Sequence, residues 1–460
     1  MLSNQAGDAK RTSLHGFWSS RMAFILAVTG SAVGLGNIWR FPYVVGENGG
    51  GAFVLVYLVC VVAIGMPVMM SEILIGRRGR RNPVATMELL GREEGSSKNW
   101  RYVGLLGVVA GILILSYYSV IAGWTLAYVV KSATGTFVGA SKLAVIADHE
   151  SFKSSAATVS FVHTLFMGLT VFVVARGVER GLEQAVRFMV PALLIMMLVL
   201  LGYSITSGSF GDGVGFLFTP DFSDFGWNGV LAAMGQAFFT LSIGMGSIMA
   251  YGAYLPEKTS ITATSAAVVA ADTAIAILAV LVIFPLVYAN GLKVDEGAGL
   301  AFQTLPLAFG QMPGGAFFST VFFILLSFAA WTSAIGLMEP AVAYLVERFK
   351  RSRAQAALII GGSVWLLGFA SVFSWNILKD LRFFQGTLFD NIQFLTNQIM
   401  LPVGAFFIAV FASWVMCRNS SADELGGSGA AYKAWRVSAQ FIAPVGILVV
   451  LFFAIMSVVA

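Results

Sequence analysis

Long apolar runs separated by short polar stretches cover almost the whole chain. Eleven of them reach the roughly 20 residues that a helix needs to cross a bilayer. They span about 19–46, 51–76, 101–131, 158–176, 182–206, 228–255, 262–290, 317–347, 355–374, 391–417 and 436–459. Most read as continuous hydrophobic helix, but two do not. The first run contains Ala32-Val33-Gly34-Leu35-Gly36-Asn37-Ile38-Trp39-Arg40-Phe41-Pro42, two glycines in three residues followed by an Asn and an Arg. The sixth contains Gln236-Ala237-Phe238-Phe239-Thr240-Leu241-Ser242-Ile243-Gly244-Met245-Gly246-Ser247. Hydrocarbon offers no partner to a freed backbone N–H or C=O, so a helix breaks at membrane depth only where it lines a cavity inside the protein. Gly30 and Gly34 also have a helix-packing spacing, and Ser or Thr can bond back to its own helix. Two breaks five spans apart go beyond packing. They suggest a 5+5 repeat, the second half inverted because five is odd, with a site between the breaks.

This pattern divides the chain into a cytoplasmic segment 1–18, a first five-helix repeat 19–206, a second repeat 228–417 and an eleventh span 436–460. The polar connection at about 132–157 is the longest, and no large soluble domain fits between spans.

Composition supports an all-α polytopic membrane protein. Hydrophobic residues make up 58% and charged residues 11%, against about 25% charged in soluble domains. Of the 28 Lys and Arg, three in four fall on one side if the N-terminus is cytoplasmic, the bias expected of inner loops. The chain is therefore expected in the cell inner (plasma) membrane, with its C-terminus outside. The basic balance reflects this asymmetry and does not point to nucleic acid. Lys10 and Arg11 precede a span too long for a cleaved signal peptide. Cys60 and Cys417 imply no disulfide framework. His15, His149 and His163 are scattered, and no metal-ligand spacing or catalytic constellation suggests an enzyme.

Asp272 is the sharpest single residue. It interrupts a span that is otherwise uncharged, at a cost of roughly 2.5–3.5 kcal/mol on insertion scales, so a cation is expected beside it. Ala329, Thr332 and Ser333 sit at i, i+3 and i+4, on one face of the eighth run.

The run Gly30 to Pro42, followed by Glu47-Asn48-Gly49-Gly50-Gly51-Ala52-Phe53, resembles the first-span signature of the neurotransmitter:sodium symporter family, which has the LeuT fold. The resemblance continues through Trp124, Phe239-Thr240-Leu241-Ser242 and Thr332-Ser333, and covers essentially the whole chain. Stopping at eleven spans resembles bacterial amino-acid transporters of this family. The resemblance implies a sodium-coupled symporter working by alternating access on a small-molecule substrate within the lipid bilayer. Protein partners are not readable.

By that resemblance, a first sodium (Na+) site would use Ala32, Asn37, Thr240 and Asp272, completed by the substrate carboxylate. A second would use Gly30, Val33, Ala329, Thr332 and Ser333. Chloride-dependent relatives usually carry Asn at the Asp272 position, with a Ser one turn on where this chain has Ala276. The Asp272 carboxylate is thus expected to replace chloride, near Tyr57, Gln236 and Thr240, leaving no chloride requirement. Gly34 stands where amine-transporting relatives carry an Asp, which points to an amino acid with a free carboxylate. That carboxylate would meet the N–H groups near Leu35 and Gly36 and the Tyr118 hydroxyl. The α-amine would face the carbonyls near Ala32, Phe239 and Thr240, together with Ser242. Around the side chain would lie Ser31, Ile114, Tyr118, Phe239, Met245, Ser333 and Leu337. A neutral, hydrophobic side chain fits this lining; the alternative is a small amino acid or osmolyte such as glycine or taurine.

Tyr118 and Phe239 would close the outer side, with Arg40 beyond them. The usual acidic partner of Arg40 is replaced by Gln393, and Asp390 lies one turn earlier. On the inner side Trp18, Tyr254 and Glu347 match the family's gate, with either His15 or Arg11 as the cationic partner. Gly181 and Pro191 in the fifth span resemble an element that lets its cytoplasmic end unwind.

Overall fold

The computed structural model describes residues 11–14, 16–223, 225–294 and 299–459. Among them, nine helices are long and apolar enough to span a membrane. A tenth span is the bent pair Arg21–Ala32 and Gly36–Glu47, whose halves meet at 54°. The sixth sequence run becomes two short helices, Trp227–Thr240 and Ser247–Ala253, neither long enough to cross alone. Counted together they make the eleventh crossing. In chain order the others are span 2 (Gly51–Gly79), span 3 (Lys98–Ala133), span 4 (Ala156–Ala175), span 5 (Val178–Ile205), span 7 (Ile261–Ala289), span 8 (Gly315–Phe349), span 9 (Arg353–Phe373), span 10 (Leu388–Val415) and span 11 (Ala430–Met456).

Their ends follow ordinary capping chemistry. Ser20, Asn82 and Ser260 each accept a bond from a first-turn N–H, and Ser352 with Gln355 forms a capping box, satisfying donors that a helix start leaves free. The connection after span 3 holds a separate helix, Lys142–Ser154. It is too short and polar to cross, in keeping with its sequence.

Spans 3 and 8 pack along each other, and the first half of span 1 lies against spans 5, 7 and 8. Span 8 is the central post, with 78% of its most apolar window buried; span 11, at 28%, packs against span 10 at the periphery. Apolar side chains such as Phe161, Phe188, Leu366 and Phe452 face outward, as a lipid solvent permits.

The two breaks arise differently. In span 1, Val33 turns to an extended conformation (φ −71°, ψ 103°), and the helix restarts within a few residues with a π-turn at Gly36–Arg40. In span 6, Ser242 (φ 52°), Gly244 (φ 86°) and Gly246 (φ 75°) all adopt left-handed backbone. Gly244 has no alternative, because a Cβ there would lie 2.4 Å from the Leu401 carbonyl oxygen. The fully buried Glu72 of span 2 holds this unwound turn: its carboxylate accepts the N–H of Gly244 (2.6 Å) and of Met249 (3.2 Å). It supplies acceptors that the missing helical turn cannot.

Candidate functional site

A small cavity lies between the two breaks. It is lined by Ala32, Gly34, Leu35 and Gly36 of the span 1 break and by the polar side chains of Tyr118, Ser242 and Ser333. Ile114, Phe239, Met245 and Leu337 complete its lining. The Leu35 N–H donates to the Tyr118 hydroxyl at 3.3 Å, so a backbone donor and a phenol converge where an anion would be held. Gly34 is required here: a Cβ would come within 2.4 Å of Ser333 Oγ and 2.8 Å of Tyr118 Oη.

One expected lining residue stands elsewhere. The Ser31 side chain packs against Gly336 rather than the cavity, which is why a Cβ on Gly336 would meet its Oγ at 2.1 Å. Its carbonyl instead accepts the Ser242 hydroxyl at 3.2 Å. Substrate contact by the Ser31 side chain is corrected accordingly. Thr240 turns its hydroxyl to Asp272.

Asn37, Thr240 and Asp272 form one fully buried cluster on the far side of the span 1 break. Asn37 Nδ2 donates to Asp272 Oδ1 (2.8 Å) and to Thr240 Oγ1 (2.9 Å), and Thr240 Oγ1 donates to Asp272 Oδ2 (2.9 Å). Asn37 Oδ1 accepts the Gly34 N–H at 3.2 Å, tying the cluster to the cavity. Gln236 donates to the Gly36 carbonyl at 3.2 Å. Tyr57 faces Asp272, with Thr240 and Thr273 as hydrogen-bonding neighbours of its hydroxyl, and the Gln236 Oε1 is buried without a hydrogen-bond partner. A buried carboxylate in such surroundings is costly unless its charge is matched.

A second oxygen cluster lies between spans 1 and 8. Ser333 Oγ is 3.3 Å from the Val33 carbonyl oxygen and 3.5 Å from that of Gly30. Thr332 Oγ1 is 3.0 Å from the Ala329 carbonyl oxygen. Gly30 also touches span 5, since a Cβ on it would lie 3.0 Å from Val190. Span 5 carries Pro191 inside its helix and a π-turn over Val178–Glu183 that includes Gly181. Hydroxyl, amide, carbonyl and carboxylate oxygens make both clusters, a donor set suited to a hard cation. Among the described residues no group of three or more His, Cys, Asp or Glu gathers as a metal site.

On the outer side the Arg40 guanidinium sits over the Phe239 ring, 4.6 Å from its centroid. Arg40 and Gln393 line one small cavity above Tyr118. Asp390 is not paired with Arg40 here: its Oδ2 accepts the N–H (2.8 Å) and hydroxyl (2.7 Å) of Thr387 in a capping box at the start of span 10. Of the two sequence alternatives, Gln393 is the one that shares a cavity with Arg40.

On the inner side Trp18 is buried. Its indole N–H donates to the Tyr251 carbonyl, and its backbone N–H to that of Tyr254, both at 3.1 Å. Glu347 accepts both the backbone N–H and the side-chain amide of Asn82 at 2.8 Å. Arg11 donates to the Arg78 carbonyl and pairs with Glu93, which is a correction to the reading that sets it against Glu347. His15 lies outside the described residues.

Several residues here were not anticipated. Tyr254 donates to Glu339 Oε1 (2.8 Å), and Arg353 grips both oxygens of that fully buried carboxylate. Glu183 accepts the backbone and side chain of Ser19 and pairs with Arg187. Glu72 braces span 6, as described above. Each is an acid in an apolar run, the signal that singled out Asp272. Applied evenly, it would have found Glu72 and Glu339.

Comparison with known proteins matches this geometry to one group. The sodium:neurotransmitter symporter family matches residues 15–141 and 143–460. A sodium-dependent transporter of Bacillus subtilis, YhdH, is 36% identical over 94% of this chain and 96% of its own length. The bovine (Bos taurus) sodium-dependent neutral amino acid transporter B(0)AT2 is 29% identical over 52% of this chain and 36% of its own. The crystal structure of MhsT in complex with L-phenylalanine superposes with a TM-score of 0.87 at 40% identity, covering 95% of this chain and 99% of that one. The fold is the LeuT fold, the family is one of transporters rather than enzymes, and the chain belongs to it: the sodium:neurotransmitter symporter family.

Proposed function

We propose that this chain imports a neutral, hydrophobic amino acid together with two sodium ions, and that it does so without chloride. The observation that carries the reading is the cavity between the breaks. Its lining combines the span 1 break and the Tyr118 phenol, suited to a carboxylate, with the apolar side chains of Ile114, Phe239, Met245 and Leu337. Asn37, Thr240 and Asp272 would hold one sodium beside the substrate carboxylate. The oxygens of Gly30, Val33, Ala329, Thr332 and Ser333 would hold the other. With Asp272 supplying a fixed negative charge, the site has no need of chloride. The phenylalanine bound in MhsT supports the substrate class.

Alternating access follows from which contacts can part. Phe239 under Arg40 covers the cavity outward. Trp18, Tyr254 and the Glu339–Arg353 pair cover it inward. Unwinding of span 5 near Gly181 would expose the second cation cluster, through its contact with Gly30, to the cytoplasm. The basic bias of the loops supports a plasma-membrane protein with its N-terminus inside. Two sodium ions, each moving down about 100 mV and a tenfold gradient, would provide roughly 7 kcal/mol per cycle.

One observation favours the second reading, a small amino acid or osmolyte such as glycine or taurine. The cavity measures only about 30 Å³, so a phenyl group enters only if flexible Met245 and Leu337 move aside. Sodium-dependent binding of radiolabelled phenylalanine, leucine, glycine and taurine to the purified protein decides between them. Binding of phenylalanine or leucine only in sodium supports the main reading. Binding of glycine or taurine alone replaces it with the second.

A further inference from the structure

A cavity of about 720 Å³ lies away from the broken helices. It opens where span 3 begins and span 8 ends, beside the helix Pro83–Glu93, and it is lined by Arg81, Arg92, Arg101 and Arg348 together with Tyr102 and Leu105. Two carboxylates face it, and both are engaged. Glu88 pairs with Arg92 at 2.5 Å, and Glu347 is held by Asn82. Arg101 donates to the Tyr102 hydroxyl at 3.0 Å and lies over that ring. Among the described residues, no carboxylate lies in salt-bridge range of Arg81 or Arg348, so both guanidinium groups, lining one cavity, are free to take an anion.

The apolar rim narrows the choice of anion. Tyr102 is 55% exposed and Leu14 61%, and Leu105 continues the wall along span 3. A soluble phosphate gains nothing from such a wall, whereas a lipid would lay its chains along it. Basic pockets between helix ends on the cytoplasmic side suit anionic headgroups, and Arg forks onto phosphate oxygens. We propose that this cavity binds the phosphate headgroup of an anionic phospholipid of the cytoplasmic leaflet, bridging Arg81 and Arg348; the choice of leaflet rests on the orientation proposed above. Arg81 adjoins Asn82, and Arg348 adjoins Glu347. A headgroup spanning them would therefore reinforce the Asn82–Glu347 contact and hold the inner side closed.

Native mass spectrometry of the purified full chain tests this, and it reads lipid retention whether or not the protein transports. The detergent-solubilised protein is titrated with dioleoylphosphatidylglycerol and, separately, with dioleoylphosphatidylcholine. The expected result is preferential retention of phosphatidylglycerol. The Arg81→Gln/Arg348→Gln variant should weaken it about 25-fold, at a factor of about 5 per basic group near an anionic surface. Arg81→Lys/Arg348→Lys should keep most of the retention, and the exposed-site control Lys258→Gln all of it. Should the double Gln variant unfold, Arg81→Gln and Arg348→Gln taken singly, each expected to lose about 5-fold, carry the test. Equal retention of the two lipids, or unchanged retention in the Gln variants, overturns the proposal. Displacement of the lipid by inorganic phosphate would overturn the lipid assignment in favour of a free-anion site.

Discussion

Replacing Asp272 by Asn removes one charge from the heart of the first cation cluster and changes little else in shape. The carboxylate is fully buried and accepts bonds from Asn37 and Thr240 at 2.8 and 2.9 Å. With a sodium ion about 4 Å from that charge, attraction at an effective dielectric near 20 is about 4 kcal/mol. An Asn keeps an oxygen for the ion, so we take roughly 2–3 kcal/mol as lost, or about 30- to 150-fold in sodium affinity. The space is not left without an anion site. The Tyr57 and Thr273 hydroxyls lie beside it, and flipping the Gln236 amide would add a third donor. Chloride should therefore restore part of the lost affinity in Asp272→Asn and do nothing for the wild type. The assay is a sodium titration of labelled amino-acid binding, run once in gluconate and once in chloride. Wild-type binding that requires chloride, or a variant whose sodium affinity is unchanged in gluconate, would refute the role given to Asp272.

Three further outcomes follow from the same contacts. Gly34→Ala puts a methyl group 2.4 Å from Ser333 Oγ and 2.8 Å from Tyr118 Oη; overpacking of about 1–3 kcal/mol should weaken substrate binding by roughly tenfold or more, and equal affinity in equilibrium binding would contradict the cavity's placement. Arg353→Gln leaves the buried Glu339 charge with Tyr254 alone and should cost about 3–5 kcal/mol in denaturant-monitored stability, with Glu339→Gln/Arg353→Gln recovering much of it; a loss below about 1 kcal/mol would argue against a closed, desolvated inner network. His149, in the connecting helix, is buried against Tyr128 and near Lys153 and Lys131, and burial first, then those lysines, lower its pKa from 6.5 to about 3. The unfolded chain then binds the extra proton, so this contribution is intact above pH 6.5 and shrinks by about 1.4 kcal/mol per pH unit below it, some 2 kcal/mol by pH 5; His149→Gln should flatten the pH dependence of thermal stability, and a wild-type melting temperature that holds from pH 7 to 5 would count against it.

The spans and both breaks were readable because each leaves a mark that physics forces on the sequence. A bilayer demands long apolar runs, and a turn at Gly244 demands a residue without a Cβ. The burial of Asp272 among polar partners, Asn37 and Thr240, was legible for a similar reason, since a carboxyl group in hydrocarbon must have a partner. What escaped was direction. Thr240 and Phe239 are neighbours, yet one faces the cation cluster and the other the cavity, and only the break geometry fixes which. Asp390 was available to Arg40 on sequence distance alone, although Thr387-Leu388-Phe389-Asp390 is itself a capping-box pattern that already claims the carboxylate. Glu339 and Glu347 lie in one helix, and nothing in the spacing says that Arg353 folds back onto the first. The cavity near Arg81 and Arg348 joins segments more than two hundred residues apart, so the sequence shows its arginines only as loop charge.

The central claim is that sodium drives accumulation of an amino acid through this chain. Proteoliposomes loaded with potassium gluconate and diluted into sodium gluconate test it most directly, with uptake of labelled phenylalanine and of glycine followed over time. The account predicts concentrative phenylalanine uptake that collapses when potassium replaces external sodium and is indifferent to added chloride. Uptake that proceeds equally without a sodium gradient, or that begins only when chloride is supplied, would contradict it.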